Sequence, residues 1–261
     1  MVPDLTDPAI PRLVVTGHPN HELAIFGFVQ RARPHLLFLT DGGGQERIDE
    51  SRRALASIGA LDRATFLGWR EQTLYDALLA RDVELLRRLA GEVRAKLIAI
   101  APRQVLCESI ELYNPLHDLT FPIVRAAAHG LPIELIEFPL IAQNPSPDES
   151  YRVQRFADGR ASIAVALDDA ELENKLRARD HEYLSLRRST GQVMDVSREG
   201  AGTEMFARAG DSLPTPGRHH ALRYERRARL LYERGEIADM ITFAGHFVPV
   251  ARALASSPIS A

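Results

Sequence analysis

Two histidines three residues apart, His18 and His21, sit in the polar turn Thr16-Gly17-His18-Pro19-Asn20-His21-Glu22, between two apolar runs. The first run, Leu13-Val14-Val15, has the length and β-branched content of a short buried strand. The second, Leu23-Ala24-Ile25-Phe26-Gly27-Phe28-Val29, has one Gly as its only breaker and reads as the first turns of a buried helix. Strand, polar turn and helix make the corner at which an open α/β sheet builds its sites, at the carboxyl end of the strand. Two imidazoles there can aim at one point, and neutral imidazole is a common zinc ligand. An isolated H-x-x-H is more often a plain strand end and helix start, so the motif needs support from the rest of the chain.

The alternation continues. His35-Leu36-Leu37-Phe38-Leu39-Thr40 predicts a second buried strand, followed by Asp41-Gly42-Gly43-Gly44, where backbone can approach a ligand or simply turn. No G-x-G-x-x-G follows it, so a dinucleotide fingerprint is not supported. Residues 45–58 form an amphipathic helix with Ile48, Leu55 and Ile58 on one face, stopped by Gly59. Ala64–Trp69 predicts a third strand. Asp82 caps a long helix running through Leu86, Leu89, Val93 and Leu97 to Pro102. Strands follow at Gln104–Glu108 and Leu131–Phe138, separated by a helix opening at His117. The pattern predicts an α/β fold: a Rossmann-like, mostly parallel sheet with helices on both faces, plus a C-terminal helical region.

Composition shifts at Asn144-Pro145-Ser146-Pro147-Asp148, which divides a core (1–143) from a mostly helical completion of the same domain (144–261). In the second part, 159–167 reads as a strand, 168–188 as a charged helix and 211–220 as a linker. Residues 224–235 and 245–254 read as closing helices, and 256–261 as a frayed tail.

A chain of 261 residues that is 45% hydrophobic can bury a large core. A net charge of -3 gives no basic excess for nucleic acid. One cysteine, Cys107, excludes an internal disulfide or a cysteine zinc cluster and reads as a small buried hydrophobe. The first residues are acidic and polar, unlike a signal peptide, and no apolar run reaches the ~18 residues of a membrane span. A cytoplasmic protein is the simplest expectation.

Taken in order, T-G-H-P-N-H-E, L-T-D-G-G-G, R-I-D-E-S-R-R-A-L-A-S-I-G, F-L-G-W and N-P-L-H resemble the LmbE-like (PIG-L) family of N-acetylglucosaminyl deacetylases over roughly residues 12–130. The resemblance implies a Rossmann-like sheet, a zinc ion or another divalent metal, and removal of acetyl from N-acetylglucosamine on a small-molecule conjugate. The family motif H-P-D-D-E is matched by His18-Pro19-Asn20-His21-Glu22, and H-P-D-H by Asn114-Pro115-Leu116-His117. It implies His18, His21 and His117 as metal ligands, with His21 in place of an Asp. Asn20 stands at the position of the general base, and Asn114 at that of a His assisting the transition state. Asp41, Gly42 and Arg47 fall at substrate-binding positions, and Glu22 at a structural one.

Three protein ligands with an open position is the catalytic zinc pattern, and three His is one version of it. A neutral shell makes the ion a stronger acid toward water. Asn20 has no titrating group and cannot accept a proton, while Asn114 can donate to an oxyanion. Substitute bases are Asp41, Glu108, Glu111 or Asp118. Trp69 can stack on a sugar or pack at the rim. Ser109 lacks the context of a nucleophile, and His181, His219, His220 and His246 read as surface or core residues. The leading expectation is a zinc-dependent amide hydrolase acting on an N-acetylated sugar or sugar conjugate. The alternatives are a diverged sugar-binding or scaffold protein and another metal-dependent reaction on the same fold.

Overall fold

A computed structural model describes residues 5, 7–142, 152, 153, 156, 160–190, 198–210, 213, 222–256 and 259. Strands β1 (Arg12–Thr16), β2 (His35–Thr40), β3 (Ala64–Trp69), β4 (Gln104–Glu108) and β5 (Glu134–Phe138) are joined by helices. These are α1 (Phe26–Ala32), α2 (Gln45–Ser57), α3 (Glu71–Ala80), α4 (Val83–Ile100) and α5 (Pro115–Ala128). A small antiparallel pair, β6 (Ile141–Ala142) and β7 (Arg152–Val153), leads to β8 (Ile163–Ala166). Then come α6 (Asp169–Arg177), α7 (Leu184–Thr190), α8 (Arg198–Ala201), β9 (Thr203–Arg208), α9 (Arg223–Glu233) and α10 (Val248–Ala255).

The main sheet has seven strands in the order β3-β2-β1-β4-β5-β9-β8. The first five are parallel, and β9 and β8 add antiparallel pairs at one edge. The chain order reverses between β1 and β4, which lie side by side with Val15 opposite Cys107. Such a reversal leaves a crevice at the carboxyl ends of the two strands.

Alternate residues of β1 go to opposite faces, as the pleat requires. Leu13 and Val15 join α3, α4, α5 and α10 in one core, with Cys107 among them. Val14 joins α1, Leu55 of α2 and Phe206 of β9 in the other. A smaller cluster of Leu23, Phe26, Ala54 and Tyr183 seats the segment after α6 against α1 and α2. Helices therefore cover both faces, and among the described residues none is long and apolar enough to cross a membrane.

Several local expectations change. The long helix predicted over 168–188 is interrupted by a wider turn at Ala178–Glu182 and by Tyr183, whose ring is buried and whose hydroxyl bonds Glu22. Helix α3 and strand β9 have no counterpart in the sequence reading. In β9 the obstacle is Glu204, wholly buried where an apolar residue is expected. Its carboxylate accepts the first-turn N–H groups of Gly27 and Phe28 and the Lys175 ammonium, at 2.8–2.9 Å. The helix start and a buried ion pair thus take the place of apolar packing. Ile259, in the stretch expected to fray, is buried in the core that includes α4. The loop at 144–148 and nearly all of the linker at 211–220 lie outside the described residues.

Candidate metal centre

The turn after β1 is shaped by two residues. Gly17 is fixed by close approach: a Cβ there would meet the Thr120 hydroxyl at 2.7 Å and Glu108 Oε2 at 3.2 Å. Asn20 takes a left-handed conformation, φ 83°, which Asn tolerates better than most residues. Its amide donates to Glu50 (3.0 Å) and Ser185 (3.1 Å), and its backbone N–H donates to Ser51 (3.0 Å). The residue at the expected base position is therefore held in a buried polar network that ties the turn to α2 and α7.

The chain then reverses so that His21 starts a short 3-10 helix, Ile25 closes it and α1 follows. On the other side of the crevice, β4 ends at Glu108 and α5 begins at Pro115. That helix starts two residues earlier than expected, because Asn114 is its N-cap and accepts from Leu116 N at 2.8 Å. His117 lies in its first turn.

His18, His21 and His117 converge: one ring nitrogen from each lies within 4.8 Å of the others, and all three rings are buried. His18 Nε2 faces His117 Nε2 at 3.1 Å. His18 Nδ1 lies between the Pro19 carbonyl, 3.0 Å away, and Arg47 Nη1, 3.2 Å away, which call for opposite tautomers. His21 Nδ1 lies 2.6 Å from Glu108 Oε1. His117 Nδ1 has no hydrogen-bond partner among the described residues.

Burial holds all three imidazoles well below their ordinary pKa. For His18 and His117 the neighbouring rings come next, followed by Arg47, and for His21 Arg47 comes next. Neutral rings are the form that coordinates a metal. Two nitrogens at the usual zinc distance and a tetrahedral angle stand roughly 3.3 Å apart. The 3.1 Å separation and the all-nitrogen donor set therefore fit a divalent ion of zinc type.

Arg47 and Gly42 lie against this cluster, and Asp41, Glu111 and Asp118 are bonded elsewhere. Arg47 extends from α2 to within 3.2 Å of His18 Nδ1. Gly42 has φ 64°, and a Cβ there would press on Arg47 Cδ at 3.0 Å and His18 Cβ at 3.2 Å. Asp41 Oδ1 accepts from Gly43 N and Glu71 N, both at 3.0 Å, and so joins the glycine turn to α3. Glu111 accepts from Leu140 N and Asp118 from Glu111 N, each at 2.8 Å. Burial pushes Asp118 up to about 7, against the two backbone N–H groups that favour its charge. Glu108 is pushed up to about 8 by burial, against Gly17 N–H and the Thr120 hydroxyl. The four candidate substitute bases are thus each engaged by backbone or imidazole. Trp69 donates to Glu92 and packs at the core margin, and His181 is exposed. His219 and His220 lie outside the described residues.

Arg47, which reaches His18, also lines a cleft of ≈ 630 Å³ that none of the three histidines lines. Asn114, Glu71, Tyr75, Tyr113 and Arg227 are among its other walls. Tyr75 donates to Asn114 Oδ1 at 3.3 Å. Burial raises the pKa of Glu71, Arg47 lowers it, and Asp41 adds a smaller upward push. Glu71 and Tyr75 were missed with α3 itself. Their signal was present in Leu74, Ala77 and Leu78, which share the buried face of that helix.

No protein-family model matches the sequence, and no curated protein matches it. Solved structures do match the fold. A triple mutant of a deacetylase of the teicoplanin biosynthetic pathway aligns with TM-score 0.54 and 14% identity, over 77% of this chain and 100% of that one. An A40926 pseudoaglycone deacetylase aligns with TM-score 0.54 and 14% identity, over 80% and 100%. The zinc-inhibited form of a teicoplanin deacetylase aligns with TM-score 0.51 and 12% identity, over 77% and 100%. The chain thus has the α/β fold of these deacetylases.

Proposed function

We propose that this protein is a metal-dependent amide hydrolase that removes an acetyl group from an N-acetylated sugar or sugar conjugate. The observation that carries the reading is the convergence of His18, His21 and His117 at the sheet's reversal point, with Arg47 reaching both His18 and an open cleft. The deacetylase folds above support it, one of them in a zinc-inhibited form. A divalent ion held by the three imidazoles would polarise an amide carbonyl and acidify water.

The chain's own groups supply the rest. Arg47, at the border of cluster and cleft, donates to the polar groups of the sugar. Among the described residues both bonds of the Asn114 side chain go to Oδ1, so its amide N–H groups are placed to serve a developing oxyanion in the cleft. Glu71 lines the cleft beside Arg47, and burial raises its pKa, the direction that makes a carboxylate a better proton acceptor. Asn20 acts by holding the motif turn on Glu50 and Ser185, not as an acid or base.

The test is acetate release from a panel of N-acetylated amino sugars and conjugates, using metal-loaded and chelator-treated protein. Release only by the loaded form is expected, with Glu71→Gln lowering kcat at unchanged metal content. Full metal content and sugar binding without acetate release would replace this reading by a sugar-binding protein. The engaged state of the four carboxylates named above is what favours that second reading.

A further inference from the structure

We propose that Glu108 is the positioning residue of the centre: its Oε1, held by the Gly17 N–H, fixes His21 in the tautomer and orientation that offer Nε2 to an ion. This rests on the metal-centre reading above.

The geometry is specific to one ring. Glu108 Oε1 accepts from His21 Nδ1 at 2.6 Å and from Gly17 N at 2.8 Å, so one oxygen locks the ring and the motif backbone together. The contact leaves Nε2 as the only nitrogen of His21 free for coordination. His18 Nδ1 faces the Pro19 carbonyl and the Arg47 guanidinium, and His117 Nδ1 has no partner among the described residues. Of the three rings, His21 is thus the one backed by a carboxylate. The Glu108 carboxylate cannot shift easily, because Gly17 and Thr120 are packed against it.

A wholly buried Glu at the end of a central strand is a poor device for stability, since desolvation offsets what its bonds return. It is a good device for a metal site. A carboxylate that accepts the second N–H of a ligating His orients the ring and raises its basicity.

The test compares zinc affinity, by competition with a chromophoric chelator, in wild type and Glu108→Leu. Leu keeps much of the bulk of the side chain but offers no acceptor to the His21 Nδ1–H. The expected result is a 10–100-fold weaker zinc affinity, with the metal-free protein melting within about 5 °C of wild type. Equal affinities in the two proteins would overturn the inference and leave the metal centre intact. A wild type that takes up no zinc would overturn both. A measurement needing no variant is nitrogen NMR of the zinc-loaded wild type. Coordination of His21 through Nε2 with the proton on Nδ1 is expected, and coordination through Nδ1 would overturn the inference.

Discussion

His18 and His117 face each other through their Nε2 atoms at 3.1 Å, across 99 residues of chain. Neither ring could reach the other from its own loop. They meet because β1 and β4 are neighbours in register, so the turn after Thr16 and the segment after Glu108 leave the sheet side by side. Two buried, neutral imidazoles with nitrogens this close can share one proton or one ion.

Asn20 is bonded to Glu50 at 3.0 Å inside the protein. Asn20→Asp would place a second carboxylate against Glu50, and two such groups cannot both ionise. The variant should lose about 2–4 kcal/mol, from the lost charge-assisted bond and the added repulsion. The shared proton raises the folded-state pKa, so the loss should be smaller near pH 5 and larger near pH 8. Urea unfolding at the two pH values checks this. Equal stability to wild type at pH 8 would show that Asn20 and Glu50 do not touch.

Gly42 and Gly130 separate backbone strain from site packing. Both have positive φ, 64° and 75°, but a Cβ at Gly130 meets nothing within 4 Å, while at Gly42 it meets Arg47 and His18. Each Ala substitution should cost about 1–2 kcal/mol for the backbone. Only Gly42→Ala should also weaken zinc binding, because it displaces His18. Similar zinc affinities in the two variants would contradict this.

Asp118 is raised by burial to about 7, well above its unfolded value of ~3.9. Between these values the folded state holds a proton that the unfolded state has released. This group's contribution to stability therefore falls as pH rises from about 4 to 7, then stays level. In Asp118→Asn, Oδ1 can still accept from Glu111 and Leu112 N–H, and no titration remains. The stability of the metal-free variant relative to wild type should increase from pH 5 to pH 8. A constant difference would show that Asp118 titrates normally.

Much of this was legible because the central strands are short apolar runs bounded by polar turns. Thr40 and Glu108 end their strands where the sequence placed them, and the Asp82 cap accepts Leu85 N–H as expected. The three histidines were legible only through the order of two motifs, since pattern alone cannot bring residue 117 beside residue 18. Long-range partners gave no local signal. Glu204 carries no sign of its burial until α1 and Lys175 are packed on it, and Glu108 reads as a base until His21 occupies it. Asn20 signals a lost base in the motif, while its left-handed backbone and Glu50 give it a local reason to be Asn.

Zinc stoichiometry tests the central claim most directly, measured after chelator treatment and reloading in wild type and His117→Ala. The expected result is one tightly held ion per chain in wild type and loss of most of it in the variant, since removing one of three ligands leaves two imidazoles. A wild type that binds no ion, or a His117→Ala protein that keeps a full equivalent, would contradict the assignment of His18, His21 and His117 as a metal centre.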